Sequence, residues 1–192
     1  MSQLDRDPWV DVKTFHGFQA DHVISALQKE IRRGNTENAA LLAYEMIITS
    51  PALEDYLWHR LKVISVEDIG FGELLAPVLI QSLFEMCNVC DRGVGERKLY
   101  AIHAVRYLCG CKKDRSTDEM INWINHASTL NKVLPTIPDY ALDRHTAEGQ
   151  KMGRGRRHFF EEASRTNPEV SDRDRTYLER IVNMLDAGDI KD

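Results

Sequence analysis

The residues best suited to chemistry lie in a short, basic and glycine-rich segment, residues 149–160. It combines three glycines with four fixed positive charges, on Lys151, Arg154, Arg156 and Arg157. Positive charge beside the aromatic pair Phe159 and Phe160 suits a phosphate backbone with stacked bases. In an acidic protein, arginines also serve to pair with carboxylates, and here the nearby acids include Asp143, Glu161 and Glu162. The sequence therefore leaves two interpretations open, nucleic-acid contact and internal salt bridging.

A second group of reactive side chains lies just before this segment and consists of Asp139, Asp143 and His145. On a helix the two aspartates would be one turn apart, and two carboxylates beside an imidazole can bind a divalent metal or share acid–base work. The alternative is that Asp139 caps a short helix and Asp143 pairs with an arginine. A small metal-dependent enzyme acting on nucleic acid or nucleotide is thus the alternative function, and we expect no cofactor otherwise.

The four cysteines form two close pairs, Cys87 with Cys90 and Cys109 with Cys111. Four thiolates near helix ends could hold structural zinc. The second spacing, however, has one intervening residue instead of the two that zinc ribbons use. Cys87 and Cys109 also occupy positions where helix packing favours small apolar residues, so we expect plain thiols rather than a metal site.

A phosphate-binding loop of the Walker type is absent from this chain. That loop needs a Gly-Lys pair, because backbone amides and the lysine together neutralise the phosphates. No Gly-Lys pair occurs in the sequence, and Gly93-Val94-Gly95 follows no predicted strand. ATP or GTP hydrolysis by that route is excluded for this chain.

Composition indicates a globular helical protein. The chain has 192 residues, a net charge of −5 and 43% apolar residues, so a nucleic-acid contact would need a local basic patch. No apolar stretch approaches the roughly 20 residues that span a bilayer. The N-terminus has two acids and no apolar core typical of a secretory signal, which predicts a cytoplasmic location without membrane contact.

Apolar residues at helical spacing predict an all-α bundle of about seven or eight helices, built from antiparallel hairpins around one core. The clearest helices begin near Asp21, Asn35, Ala52, Leu74, Glu96, Ser116 and Asp172. Asp21 is a candidate cap, and Ser116 with Glu119 fits a capping box. Gly34 and Ser50-Pro51 are predicted stops. We divide the chain into a lead-in (1–17), a helical domain (18–165, with the basic segment 139–162) and a C-terminal turn and helix (166–192).

A glycine-rich break, residues 66–72, separates the third and fourth predicted helices. It contains the acids Glu67 and Asp68 followed by Gly70 and Gly72. Acids in such a position cap the next helix or hold a basic partner. We expect Glu67 and Asp68 to order this turn.

Three runs in the same order resemble the C-terminal helical domain of the replication-associated recombination AAA+ ATPases, the group that includes the Werner-helicase-interacting protein. They are residues 18–35 (with Ala39-Ala40-Leu41 and Tyr44 following), 60–70 and 101–108. The most specific piece is Ser-Val-Glu-Asp-Ile-Gly at 65–70. The resemblance covers roughly residues 16–128. The segment 138–162 departs from those proteins and looks more like short bacterial proteins that carry this domain alone.

The resemblance implies a fold similar to the clamp-loader collar and a role in assembling subunits, typically as tetramers. It implies no catalytic residue in this chain, since the ATPase domain of the full-length relatives precedes this one. The expected function is therefore a non-enzymatic oligomerisation and binding module. The expected partners are copies of the same chain and, in DNA maintenance, DNA or a replication protein.

Overall fold

The computed structural model describes residues 7–130 and 132–192, so the first six residues of the predicted lead-in lie outside it. The described residues form nine α-helices and no strand, with one isolated bridge between Lys13 and Gln19. The helices are α1 (Ala20–Arg33), α2 (Thr36–Thr49), α3 (Pro51–Ile64), α4 (Ala76–Asn88), α5 (Gly95–Gly110), α6 (Ser116–Thr129), α7 (Ala147–Lys151), α8 (Arg156–His158) and α9 (Thr176–Asp186). The prediction of an all-α bundle is confirmed.

The chain divides into two compact units, an N-terminal unit ending at Lys132 and a C-terminal unit, Val133–Asp192. The boundary falls inside the segment 18–165 that the sequence assigned to one helical domain. The N-terminal unit contains α1 to α6, and the C-terminal unit contains α7 to α9.

The hydrophobic core of the N-terminal unit is built by α1 to α5. Each of these helices turns an apolar stripe inward, and the largest fully buried side chain is Trp58 of α3. Other core residues include Leu27, Met46, Ile80 and Leu108. Burial of a side chain of this size stabilises the fold by about 1.5–3 kcal/mol. The five helices therefore share one buried core in this unit.

Local sequence sets most helix ends in this unit. Gly34 ends α1 in the left-handed conformation, with φ of 77°. Ser50 begins α3, where its hydroxyl oxygen accepts a hydrogen bond from the backbone N–H of Leu53, and Pro51 occupies the first turn. The hairpin of α1 and α2 follows from the two-residue connection at Gly34.

Two predicted caps are not formed. Gln19, not Asp21, holds the N-cap position of α1, and Asp21 lies within the first turn. The capping box of Ser116 and Glu119 is also wrong, because Arg115 occupies the N-cap position of α6. The carboxylate of Asp114 accepts the hydrogen bond from the backbone N–H of Ser116 instead, at 2.9 Å. An acid two residues upstream thus satisfies the Ser116 amide, which the capping box would have paired with the side chain of Glu119.

The predicted break after α3 is a continuation of helical winding. Residues Ser65–Ile69 form a single π-helical turn, and Gly70–Gly72 form a 3₁₀ turn. Single π turns are uncommon and concentrate at functional positions. In the C-terminal unit, a 3₁₀ turn (Asp139–Ala141) precedes residues 149–160, and a second π turn (Phe159–Ala163) begins at their end.

Within the ranges that the structure describes, no helix combines the length and apolar content that crossing a bilayer would require.

Candidate functional site

Helix α6 presents an apolar face that remains uncovered. At about 100° per residue, its large apolar side chains occupy roughly half of the helix circumference. They are Met120, Ile121, Trp123 and Ile124, with exposed fractions of 60, 48, 54 and 39%, and Leu130 just beyond the helix, with 60%. Ala127 alone is buried in this helix. A helix that packs into a core hides such a stripe, so the uncovered stripe indicates an interaction surface.

An open apolar groove of about 460 Å³ lies beside this face. Val63 of α3, Val66 of the π turn and Ile121 of α6 provide its apolar lining. Charged and polar side chains also line it, namely His59, Lys62, Glu67, Thr117 and Asp118. We call the apolar face of α6 together with this groove the α6 surface. An apolar centre with a polar rim is the usual anatomy of a protein–protein interface.

The buried carboxylate of Asp68 fixes the start of α6 to the body of the N-terminal unit. Its side chain is fully buried, and it accepts hydrogen bonds from Gln28 Nε2 at 2.9 Å and from Arg115 Nη1 at 2.7 Å. A third hydrogen bond comes from Arg32 Nε. Because these donors lie on α1 and just before α6, one carboxylate connects three separate segments.

Glu67 and Asp118 extend this network to three carboxylates and three arginines. Glu67 Oε1 lies 3.2 Å from Arg115 Nη1 and 3.3 Å from Arg32 Nη2, while Arg60 Nη2 lies 3.9 Å from Glu67 Oε2. Arg115 also pairs with Asp118 in the first turn of α6. We call these six side chains the carboxylate–arginine cluster. Its charges balance, so its function is to hold elements together rather than to attract a charged ligand.

Two glycines of the 3₁₀ turn are required by close backbone approach. A Cβ on Gly70, whose φ is 50°, would lie 2.3 Å from the carbonyl oxygen of Asp114. A Cβ on Gly72 would lie 2.5 Å from the carbonyl oxygen of Lys112. Hydrogen bonds also join the two backbone segments. The backbone N–H of Asp114 donates to the carbonyl oxygens of Asp68 and Ile69, both at 3.1 Å. The run from 112 to 114 therefore packs directly on the turn, immediately before α6 begins.

The surroundings of Asp68 favour its ionised form. Burial alone would raise the pKa of this carboxyl, but hydrogen bonds from Arg32, Gln28 and Arg115 outweigh burial and lower the pKa below its ordinary value of 3.8. Asp68 is thus a carboxylate across the physiological range. Glu67 and Asp68 hold basic partners, one of the two roles that the sequence predicted for them.

In the C-terminal unit, Arg154 of the predicted anion-binding segment is turned inward. Its Nη2 atom lies 2.8 and 2.7 Å from the two carboxylate oxygens of Asp139. Its Nη1 atom donates to the carbonyl oxygens of Asp139 and Leu142, at 2.6 and 2.9 Å. The guanidinium is only 16% exposed. With Nη2 on the carboxylate and Nη1 on two carbonyl oxygens, Arg154 connects the 3₁₀ turn to the basic segment.

The neighbouring cations are also engaged within the unit. Arg157 pairs with Asp186 of α9 at 2.5 Å and with Glu161 at 3.1 Å. Arg156 Nη1 donates to the carbonyl oxygen of Lys191. Lys151 differs, because its side chain is 76% exposed and its Nζ atom lies 3.8 Å from Glu148. Of the acids that the sequence suggested as partners of these arginines, only Glu161 forms such a pair. The other partners are Asp139 and Asp186, in place of the expected Asp143 and Glu162.

The structure pairs two members of the predicted Asp/Asp/His group, Asp143 and His145, and pairs the third, Asp139, with Arg154. Asp143 accepts hydrogen bonds from the backbone N–H and from Nδ1 of His145, both at 2.9 Å. These contacts lower the pKa of Asp143. Asp139, however, is paired with Arg154. Across residues 7–130 and 132–192, no group of three His, Cys, Asp or Glu side chains is arranged to hold a metal ion.

The cysteines are free thiols with different degrees of burial. Cys87 and Cys109 are buried, whereas Cys90 and Cys111 are partly exposed. Burial raises the pKa of the Cys87, Cys109 and Cys111 thiols above 9.0, so these side chains are protonated thiols at neutral pH. Cys87 contributes to the core instead, as its spacing on α4 predicted.

Sequence reasoning missed the importance of Arg115 and of the α6 surface. The apolar residues of α6 were recognised as one face, but amphipathic periodicity does not distinguish a face buried in the core from one left for a partner. The signal available was the run Asp114-Arg115-Ser116, in which a cation directly precedes a helix. Arginine at an N-cap position is unfavourable unless a carboxylate elsewhere holds it, as Asp68 does here.

No protein-family model matches the chain, and no curated protein matches it either.

Proposed function

We propose that this chain is a non-enzymatic oligomerisation and binding module that assembles through the α6 surface. The observation that supports this function is the exposed stripe on α6, where Met120, Ile121, Trp123 and Ile124 are each 39–60% exposed. Aromatic and methionine side chains are enriched at the centres of protein interfaces. The carboxylate–arginine cluster supports the proposal as well, since it holds the helix in a fixed position before any partner arrives, which lowers the entropic cost of association.

The test is sedimentation velocity over a concentration series. We expect the wild-type chain to associate as concentration rises, and the double variant Ile121→Ser/Trp123→Ser to remain monomeric. The matched control is Asn122→Ser/Asn125→Ser, which changes two exposed residues of the same helix outside the apolar stripe. Far-ultraviolet circular dichroism checks that all three proteins keep their helical content. A wild-type chain that is monomeric at tens of micromolar would remove the proposal.

The proposed biological setting is the cytoplasm, in the maintenance of replicating or recombining DNA. Its support is the resemblance of residues 16–128 to the oligomerisation domain of the recombination ATPases, in which the assembly is typically a tetramer. DNA or a replication protein is the proposed further partner. Pull-down of replication proteins by wild-type protein, and not by the double variant, would connect the α6 surface to that setting.

Direct DNA contact by Lys151, Arg154, Arg156 and Arg157 is a less favoured part of the proposal. The internal pairs of Arg154 and Arg157 would have to open before these side chains could reach phosphates. Lys151 is the most accessible of the four positive charges. The metal-dependent enzyme is less favoured for a related reason, since Nη2 of Arg154 contacts both carboxylate oxygens of Asp139.

A further inference from the structure

A cavity of about 360 Å³ lies in the N-terminal unit, beside the turn that joins α2 to α3 and the start of α5. This volume falls in the range of small-molecule sites. Ile47, Ile48 and Val94 give it an apolar wall. The polar and charged residues that line it include Ser50, Glu54, Arg97 and Lys98. The cavity thus combines an apolar wall with hydrogen-bond donors, and it is distinct from the α6 surface.

Arg97 is a buried arginine with one guanidinium nitrogen that makes no hydrogen bond to the described residues. The residue is 4% exposed, and its Nε atom donates to Glu54 at 2.7 Å. Its Nη1 atom donates to the carbonyl oxygens of Cys87 and Cys90, both at 2.8 Å. Within the described residues, its Nη2 atom makes no hydrogen bond. Arg97 is thus a cation that lines the cavity, is more than nine-tenths buried and keeps one donor nitrogen free. Such a side chain is suited to bind an anionic group in the cavity.

The charges around the cavity leave one positive charge without a carboxylate. Glu54 is held by Arg97 and by Arg92 Nη1 at 2.9 Å, and Asp55 is held by Arg92 Nη2 at 2.6 Å. Two arginines therefore balance two acids. Lys98 forms no ion pair in the described part of the chain, and its Nζ atom lies 5.2 Å from the ring centroid of Tyr44. The excess positive charge belongs to Lys98.

We propose that this cavity binds a small organic carboxylate with a short apolar body, with Lys98 and Arg97 Nη2 holding the carboxylate and Ile47, Ile48 and Val94 covering the apolar body. The Ser50 hydroxyl accepts a hydrogen bond from Leu53, so its own hydrogen remains available to the second carboxylate oxygen. Inorganic anions lack the part that would fill the apolar wall. The ligand class follows from the combination of one excess cation, one guanidinium nitrogen without a hydrogen bond and an apolar lining.

The test uses hexanoate as the probe, with hexanamide, acetate and inorganic phosphate as comparison ligands. Each ligand is titrated into the protein, and binding is monitored through amide chemical shifts in nuclear magnetic resonance spectra. We expect saturable hexanoate binding in the millimolar range, with shifts confined to amides around residues 47–54 and 92–98. Hexanamide, acetate and phosphate should each bind at least about tenfold more weakly, because each lacks either the charge or the apolar body. Hexanoate binding that does not saturate, or comparable binding of any of the three, would overturn the proposal.

Two lysine variants separate a specific site from general electrostatic attraction. Lys98→Met removes the excess charge at a partly exposed position and should weaken hexanoate binding by about tenfold. Lys29→Met removes the same charge from α1, where Lys29 hydrogen-bonds Ser25 and does not line the cavity. It should leave the hexanoate affinity unchanged. Equal effects of the two variants, or none for Lys98→Met, would contradict the assignment of Lys98.

Discussion

The Nη1 atom of Arg115 lies 2.7 Å from Oδ1 of Asp68, and this contact joins the turn after α3 to the residue before α6. The same carboxylate oxygen is approached by Arg32 of α1. The position of α6 in the N-terminal unit thus depends on a buried charge, while the apolar residues of the helix stay at the surface. The start of α6 therefore holds the helix in the fold, and its exposed apolar side chains are left for interaction.

Asp68→Asn should destabilise the N-terminal unit by about 3–5 kcal/mol, because it leaves Arg32 and Arg115 partly buried without a full carboxylate. Urea unfolding followed by circular dichroism measures the loss. The matched control is Glu67→Gln, whose side chain is 25% exposed and whose pairs with Arg32 and Arg115 are longer. Its loss should stay below about 1 kcal/mol. Equal losses in the two variants would show that the cluster contributes by general electrostatics and not through the buried carboxylate.

Gly70→Ala should destabilise the chain by more than about 1 kcal/mol, since it combines a positive φ with a Cβ placed 2.3 Å from the Asp114 carbonyl oxygen. Gly110→Ala is the control. Gly110 ends α5, has an ordinary φ and has no atom within 4 Å of the added Cβ. That variant should be neutral or stabilised by up to about 1 kcal/mol. Thermal unfolding of both proteins measures the difference, and a neutral Gly70→Ala would contradict the close approach.

Sequence periodicity was sufficient to predict α1 to α5, because their apolar residues enter one core and local signals such as Gly34 and Pro51 end or begin them. The turn at 65–72 could not be predicted in the same way. Its glycines looked like a break, but Gly70 and Gly72 are there to admit the backbone of Lys112 and Asp114, residues about 40 positions later. Such a contact is long-range and leaves no local pattern.

The basic segment shows the same limit. Its composition fitted both nucleic-acid contact and salt bridging, and only the fold supplies the partner of each arginine. Asp186, which pairs with Arg157, lies 29 residues away in sequence. The sequence suggested that Asp139 caps a helix, with a metal-ligand role only in the alternative function, whereas in the structure Asp139 pairs with Arg154. Residue types were predictable here, but pairings were not.

Glu45 should make the stability of the N-terminal unit depend on pH in mild acid. Burial would raise its pKa, but hydrogen bonds from the backbone and ring of His16 and from Thr14 lower it below 4.5. A lowered pKa means that the stabilisation is complete above 4.5 and is lost as the pH falls below that value. Between about pH 7 and about pH 3.5, the urea midpoint of unfolding should fall less in Glu45→Gln than in the wild-type chain. Parallel falls would show that Glu45 does not contribute to the acid sensitivity.

Single-stranded DNA binding should respond to the acids that hold the basic segment. Because Arg154 and Arg157 are paired with Asp139 and Asp186, we expect weak binding by the wild-type chain and stronger binding by Asp139→Asn/Asp186→Asn. Fluorescence anisotropy across a salt series measures both affinities and the number of phosphate contacts. The control Asp189→Asn/Asp172→Asn removes two exposed acids that hold no arginine of the segment. Strong wild-type binding that Arg154→Ala/Arg156→Ala/Arg157→Ala abolishes would show that these cations already reach phosphates.

The four thiols should differ in their reaction with iodoacetamide. Cys87 and Cys109 are buried and their pKa values are raised, so both should react far more slowly than the partly exposed Cys90. Peptide mass spectrometry after timed quenching gives the rate at each site. A zinc site using all four residues would protect them equally, and chelator would then accelerate all four together. That pattern would revive the metal interpretation, which the expected two-class pattern does not support.

The π turn at Ser65–Ile69 has a consequence for how insertions and deletions act in this chain. A π turn accommodates one residue more than an α turn, so it sets the angular phase between α3 and everything that follows. Removing one residue there would let the segment rewind as ordinary α-helix, and the residues that follow would keep nearly the same phase. Inserting one residue would exceed what a single π turn absorbs and would rotate the following residues by about 100° about the axis. Asp68 would then face away from Arg32 and Arg115. A single-residue insertion should thus be far more damaging here than in the exposed turn around Gly93.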